Sequence, residues 1–180
     1  EKTGFNLWSN CQDCQRWTLL TKSNYGHSTL TVNGQLQKVN GHATLLEVKE
    51  GVQPEAIFDM TAPYEGLLKN ARRSFVKESS TSLVVTDEIE LLPEANLITW
   101  QLMTTADVEI TERGALLKQD GKILRIENLS HSDLRFSVIS LDPPPLVLDR
   151  KIKGLKRIEL RIPSWTVKGR KDVIKVKLTK

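Results

Sequence analysis

The sequence predicts an all-β protein, an antiparallel β-sandwich of about a dozen strands with little helix. Three observations carry that expectation. Apolar residues recur with a period of two, in residues 27–33, 43–49, 81–85, 123–127, 134–139, 157–162 and 173–178. Turn dipeptides punctuate these runs: Asn33-Gly34, Asn40-Gly41, Glu50-Gly51, Arg113-Gly114, Asp120-Gly121 and Lys153-Gly154. No stretch keeps an i, i+3, i+4 apolar spacing over three turns.

Taken in chain order, residues 27–33 make the first strand and Asn33-Gly34 turns it. Residues 43–49 make the next. Residues 63–70 (PYEGLLKN) permit one helical turn, and Gly66 argues against more. In Asp87-Glu88-Ile89-Glu90 the alternation puts Asp87 with Ile89 on one face and the glutamates on the other. These carboxylates read as edge or turn residues, not as an acid/base pair. Asp120-Gly121 between residues 115–118 and 122–126 predicts a hairpin. Pro143-Pro144-Pro145 is a stiff connection, and the 35 residues after it are too few to bury a core alone. Their two strands are expected to pair back onto one sheet, within a single domain covering residues 1–180.

Composition narrows the function classes. Hydrophobic residues at 39% and charged residues at 27% exclude a disordered chain. No apolar run approaches the roughly 18 residues of a membrane-spanning helix, so no membrane partner is expected. The chain starts at Glu1 without a signal peptide and is expected to be a piece of a longer protein.

The net charge of +4 is uneven. Residues 150–180 hold 12 Lys/Arg and 2 Asp/Glu, a balance of +10, whereas residues 1–149 hold 14 and 20, a balance of −6. Such a segment attracts nucleic acid, an acidic polysaccharide or an acidic face of its own protein. The plainer reading is an edge strand guarded by lysines. Nucleic acid is not expected, because Trp165 is the segment's one aromatic residue and no nucleic-acid module surrounds it.

Motifs are sparse. Cys11 and Cys14 form a lone C-x-x-C with neither the second ligand pair of a zinc site nor the βαβ context of a redox site. They read as two loop cysteines; an oxidising compartment permits a bond, and the short gap demands a tight loop for it. The three histidines, His27, His42 and His131, lie too far apart for a local metal clamp. Ser-His-Asp sets can be drawn from scattered positions in any chain of this length and carry no weight. There is no phosphate loop and no nucleophile elbow.

One region is more specific. The order Leu7-Trp8, Gln15-Arg16-Trp17, then Gly26-His27-Ser28-Thr29-Leu30-Thr31-Val32-Asn33-Gly34-Gln35 with Gln37 resembles the heparinase II/III-like polysaccharide lyases. A second block agrees: Ala71-Arg72-Arg73-Ser74-Phe75, Leu83-Val84-Val85-Thr86-Asp87-Glu88-Ile89, and residues 97–104. The likeness spans residues 5–130 and concerns the β-rich C-terminal part of that family. It implies a two-part enzyme in which an N-terminal helical toroid carries catalytic groups and a β-sandwich closes the cleft. It also implies β-elimination on a uronic-acid polysaccharide, hence an acidic glycan and the protein's own helical domain as partners, in the periplasm or outside the cell. A non-catalytic carbohydrate-binding or structural sandwich is the alternative.

The resemblance aligns His27 with a zinc-binding histidine of that family. The partner ligands there, a His from His-x-His and an Asp, lie earlier in the chain and are absent here. Zinc is therefore expected only in a longer protein, bracing the cleft wall, and not in this segment. The catalytic His and Tyr of the helical part are absent too, so the segment contributes no catalytic residue and is expected to be inactive alone. Ser28 stands where Asn is frequent. Trp8, Arg16 and Tyr25 are the expected substrate contacts, since sugars stack on indoles and Arg pairs with carboxylates and sulfates. Trp8 lies in a polar stretch and should be exposed, whereas Trp17 precedes an alternating run and should pack in the core. One of Arg72 and Arg73 should point to solvent or to a carboxylate on a neighbouring strand.

Overall fold

The structure, a computed structural model, describes residues 6–180. Twelve strands among the described residues form two antiparallel sheets, and the only helix is in short 3-10 turns. In chain order the strands are β1 (Leu30–Val32), β2 (Thr44–Lys49), β3 (Glu55–Asp59), β4 (Leu68–Lys77), β5 (Ser82–Leu91) and β6 (Leu97–Thr104). There follow β7 (Asp107–Ile110), β8 (Gly114–Gln119), β9 (Lys122–Asn128), β10 (Ser137–Ser140), β11 (Lys156–Pro163) and β12 (Lys171–Thr179). The smaller sheet has the order β1-β6-β11-β10 and the larger one β2-β3-β4-β5-β12-β9-β8-β7.

Alternation in sequence becomes alternation of faces. In β11, Ile158, Leu160 and Ile162 point inward and are fully buried, while Arg157, Glu159 and Arg161 line the outer side. Ile98 and Trp100 of β6 join them, with Trp100 edge-on to Phe136 at 5.9 Å. Across the core stand Ile174 and Val176 of β12, Ile89 of β5 and Ile126 of β9. The predicted hairpin is present: Asp120 and Gly121 both take positive φ, 50° and 71°, between β8 and β9. A two-residue loop of that handedness matches the strand twist, and Gly121 adopts it without steric cost.

Three expectations are corrected. The last two strands do not share a sheet, since β11 lies between β6 and β10 and β12 between β5 and β9. Nor is the lysine-rich β12 an edge. It threads between acidic neighbours: Lys171 opposes Glu90, Val173 opposes Glu88 and Lys177 opposes Glu127. Much of the charge asymmetry is thereby met within the sheet, with Lys177 also 2.8 Å from Glu78. The helical turn falls at Ala62–Tyr64, and residues from Leu68 onward are strand, because Leu68 and Ala71 are needed in the core.

Candidate functional site

The His27 loop runs from the 3-10 turn Asn24–Gly26 into β1. Gly26 is required there, since a Cβ would sit 2.0 Å from the Leu20 carbonyl oxygen. Beneath the loop lies a chain of buried polar groups. Asn24 Nδ2 donates to Thr31 Oγ1 at 2.9 Å and its Oδ1 accepts the Gln37 N–H at 3.0 Å. Gln101, buried on β6, donates from Nε2 to the carbonyls of Asn24 and His27 and accepts from Thr31 Oγ1 at 3.2 Å. Arg73 reaches the Ser28 carbonyl from the other sheet, at 3.2 Å.

The outcome is a histidine with a fixed backbone and an exposed ring. The His27 N–H donates to Asn24 O at 3.2 Å, and its carbonyl accepts from Gln101 Nε2 at 2.7 Å. Rigid presentation of a solvent-facing side chain on a buried hydrogen-bonded platform suits a binding wall. For zinc the donor set is incomplete. Among the described residues no three His, Cys, Asp or Glu side chains converge.

Beside the loop, on the outer face of the smaller sheet, is a hollow of about 270 Å³. Tyr25, Gln101, Arg157, Glu159 and Arg161 line it, with Thr99. Arg157 is fixed from Nε to Glu159 at 2.8 Å and from Nη1 to the Tyr25 carbonyl at 2.8 Å. Tyr25 donates its hydroxyl to the Gly34 carbonyl at 3.0 Å, and partial burial pushes its phenol up, so it serves as a neutral donor.

The expected contacts divide. Tyr25 and His27 share one loop. Trp8 is 81% exposed, as its polar surroundings suggest. Arg16 stacks on Trp17, 4.5 Å from the ring centroid, and donates to Asn10 Oδ1 at 2.6 Å. Trp17 is thus not in the core; its indole N–H holds the Cys11 carbonyl at 2.9 Å. Among the described residues no hydrogen bond joins Trp8 or Arg16 to Tyr25 or His27. Cys11 and Cys14 are bonded to each other, so the C-x-x-C is a clasp just ahead of the 3-10 turn Gln15–Thr18 rather than two free thiols. Sequence reasoning missed Gln101, Arg157, Glu159 and Arg161. Their outward register on β6 and β11 was readable as alternation, but not that a loop would fold over one end of that face.

Two further polar sites emerge. Arg73 and Asp87 form a buried two-pronged pair, Nε–Oδ1 at 2.6 Å and Nη2–Oδ2 at 2.9 Å. Asp87 is therefore an interior partner and not an edge residue, while Arg72 points to solvent. Burial pushes the Asp87 carboxyl up and the guanidinium pulls it down; in the opposite sense, Asp87 raises Arg73 against its own desolvation. The two-pronged geometry favours the ionised pair. Ser130, His131 and Asp172, which sequence alone could not single out, are also connected. Ser130 Oγ lies 2.8 Å from His131 Nδ1, and His131 Nε2 lies 3.0 Å from Asp172 Oδ2. Ser130 Oγ accepts the Lys175 N–H at 2.9 Å, so the trio clips the 128–134 loop to β12.

Tyr64 ties the loop to the core. Its buried hydroxyl donates to the Leu30 carbonyl at 3.0 Å and accepts from Gln37 Nε2 at 2.8 Å; burial pushes its phenol up, so it stays a donor. Tyr64→Phe leaves that carbonyl unpaired and is expected to cost about 1–3 kcal/mol, read as a lower denaturant midpoint with unchanged slope. An unchanged midpoint would show that the hydroxyl contributes nothing.

Comparison with known proteins agrees with this architecture. The crystal structure of heparan sulfate lyase HepC from Pedobacter heparinus superposes with a TM-score of 0.68 at 12% identity, over 92% of this chain and 25% of that one. A crystal structure of heparinase III gives a TM-score of 0.63 at 15% identity, over 93% of this chain and 25% of that one. At such identities the likeness concerns the fold alone, and this chain spans about a quarter of the length of those proteins. None of the curated proteins matches the sequence. The family profile described as heparinase II/III-like, C-terminal, matches residues 2–144. With most of its length inside that match, the chain belongs to the heparinase II/III-like C-terminal family.

Proposed function

We propose that this domain is the C-terminal β-sandwich of a polysaccharide lyase that cleaves a uronic-acid-containing acidic polysaccharide by β-elimination. The observation that carries the reading is the exposed His27 ring on its buried platform of Asn24, Thr31 and Gln101. Family membership and the lyase names of the structural relatives support it. In the reaction a base takes the proton at C5, the C4–O bond breaks, and its electrons leave with the glycosidic oxygen, which gains a proton. The electron pair at C5 becomes the C4–C5 double bond. The carboxylate at C5 must be neutralised for that proton to leave, and fixed cations do so best.

In this reading the base and acid come from the portion preceding this segment. His27 braces the cleft wall and becomes a zinc ligand only with ligands from that portion. Arg157 and Arg161 read the carboxylates or sulfates of the polymer in the hollow beside Tyr25. The polymer and the Cys11–Cys14 bond both suit a periplasmic or secreted protein.

The test is the ultraviolet absorbance of the unsaturated product, using the longer protein on a panel of uronic-acid polymers. Turnover of one polymer is expected, with activity and bound zinc lost together in His27→Ala. Turnover unaffected in that variant would reduce His27 to a loop residue, and no turnover on any polymer would overturn the lyase reading.

Two exposed indoles, Trp8 at 81% and Trp165 at 84%, favour a second reading as a non-catalytic glycan-binding module. It requires salt-sensitive binding of an acidic oligosaccharide by this segment alone, and a flat low-salt titration would dismiss it.

A further inference from the structure

A carboxylate stands among the cations of the hollow beside Tyr25. Glu159 lies on the outer face of β11 between Arg157 and Arg161, opposite Gln101 of β6. A surface that gathers anions is weakened by a like charge. Yet Glu159 is not a solvated surface residue, being only 6% exposed. Its Oε1 accepts from Arg157 Nε at 2.8 Å. Among the described residues no protein group donates to Oε2, and that atom is not one of the sealed, unpaired side-chain atoms. Oε2 therefore opens onto the hollow as an unused acceptor.

The charges of the hollow are unequally engaged. Arg157 is bound to Glu159 and, through Nη1, to the Tyr25 carbonyl. Arg161 is exposed and among the described residues has no ion-pair partner. Two guanidiniums and one carboxylate leave a single net positive charge. Gln101 is committed to the loop through Asn24, His27 and Thr31. The charged groups open to a ligand are thus one cation, Arg161, and one acceptor, Glu159 Oε2. They lie two positions apart on one face of a strand, roughly 7 Å along it, which is the span of one sugar ring with its substituents. The hollow, at about 270 Å³, is smaller than the roughly 300–1,000 Å³ of drug-sized sites and suits a single ring.

We propose that Glu159 is the specificity-determining residue of this hollow, accepting a ring hydroxyl of one uronic acid unit whose carboxylate is held by Arg161. The inference rests on the lyase reading for the nature of the polymer. An ionised carboxylate accepts hydrogen bonds and donates none. Oε2 therefore takes a hydroxyl hydrogen and repels a sulfate ester, which brings negative charge and no hydrogen. The hollow accepts a ring with that hydroxyl free and refuses the same ring sulfated there. Arginines alone would instead favour the more highly charged ring.

The experiment is calorimetric titration of residues 1–180 with a glucuronic acid tetrasaccharide and with its chemically O-sulfated form, at one ionic strength. The native chain is expected to bind the unsulfated form at least about tenfold more tightly. Glu159→Gln keeps an oxygen for Arg157 and removes the negative charge. It is expected to bring the two affinities within about threefold of each other or to invert their order. A ratio of affinities does not depend on the fraction of protein folded, so lost stability in this variant cannot imitate the effect. Arg161→Ala is expected to weaken both forms. Equal or tighter binding of the sulfated form by the native chain would overturn the proposal, as would a ratio unchanged in Glu159→Gln or binding of neither form. Polymer turnover by the longer protein is read separately. Turnover without discrimination at Glu159 leaves the lyase reading standing and this assignment lost, whereas discrimination without turnover on any polymer does the reverse.

Discussion

A chain that stops at residue 144, where the family match ends, is expected not to fold. The cut removes β11 and β12, one interior strand from each sheet. β12 is the link between β5 and β9, so without it the larger sheet falls into two pieces. Ile158, Leu160, Ile162, Ile174 and Val176, all fully buried, are lost as well. At about 1.5–3 kcal/mol for each buried side chain, the loss rivals the roughly 5–15 kcal/mol that separates a folded domain from its unfolded chain. Circular dichroism during chemical denaturation compares residues 1–144 with 1–180. A cooperative transition in the shorter chain would mean that the first ten strands close a core by themselves.

Asp87→Ala is expected to cost roughly 3–5 kcal/mol, because it leaves the Arg73 guanidinium buried and unpaired. The pair is interior, with side chains 8% and 4% exposed. Replacing both partners, as Arg73→Met with Asp87→Leu, removes the orphaned charge and is expected to cost less than Asp87→Ala alone. The double variant still gives up the Arg73 bond to the Ser28 carbonyl, so the His27 loop should loosen even where global stability recovers. Denaturant midpoints of the single and double variants, with hydrogen exchange at residues 24–30, separate the two effects. A single variant as stable as the native protein would refute an interior ion pair at this position.

Local features were legible where local chemistry decides them. The Asp120-Gly121 hairpin follows from two residues that tolerate positive φ. The inward and outward residues of β6 and β11 follow from the pleat. Asp87 was not legible in the same way. Alternation gave it the same face as Ile89 but not that this face is the core, and a carboxylate there is tolerated only because Arg73 stands opposite on β4. The Ser130–His131–Asp172 clip has the same character, joining residues 41 positions apart through the packing of a loop on β12.

The sequence by itself determined the all-β class, the turns, the alternation of faces and the family, because each depends on short-range dihedral preference or on a linear order of residues. Only the tertiary structure decided which strands are neighbours. It placed basic β12 in the middle of the acidic sheet rather than at an edge, and gave β11 and β12 to different sheets. It also decided that eight strands would meet four, which leaves Leu45 and Val48 of the edge strand β2 exposed. Strand pairing joins residues far apart in the chain, and its outcome depends on which faces can be buried together, a property of the whole core that no single stretch of sequence holds.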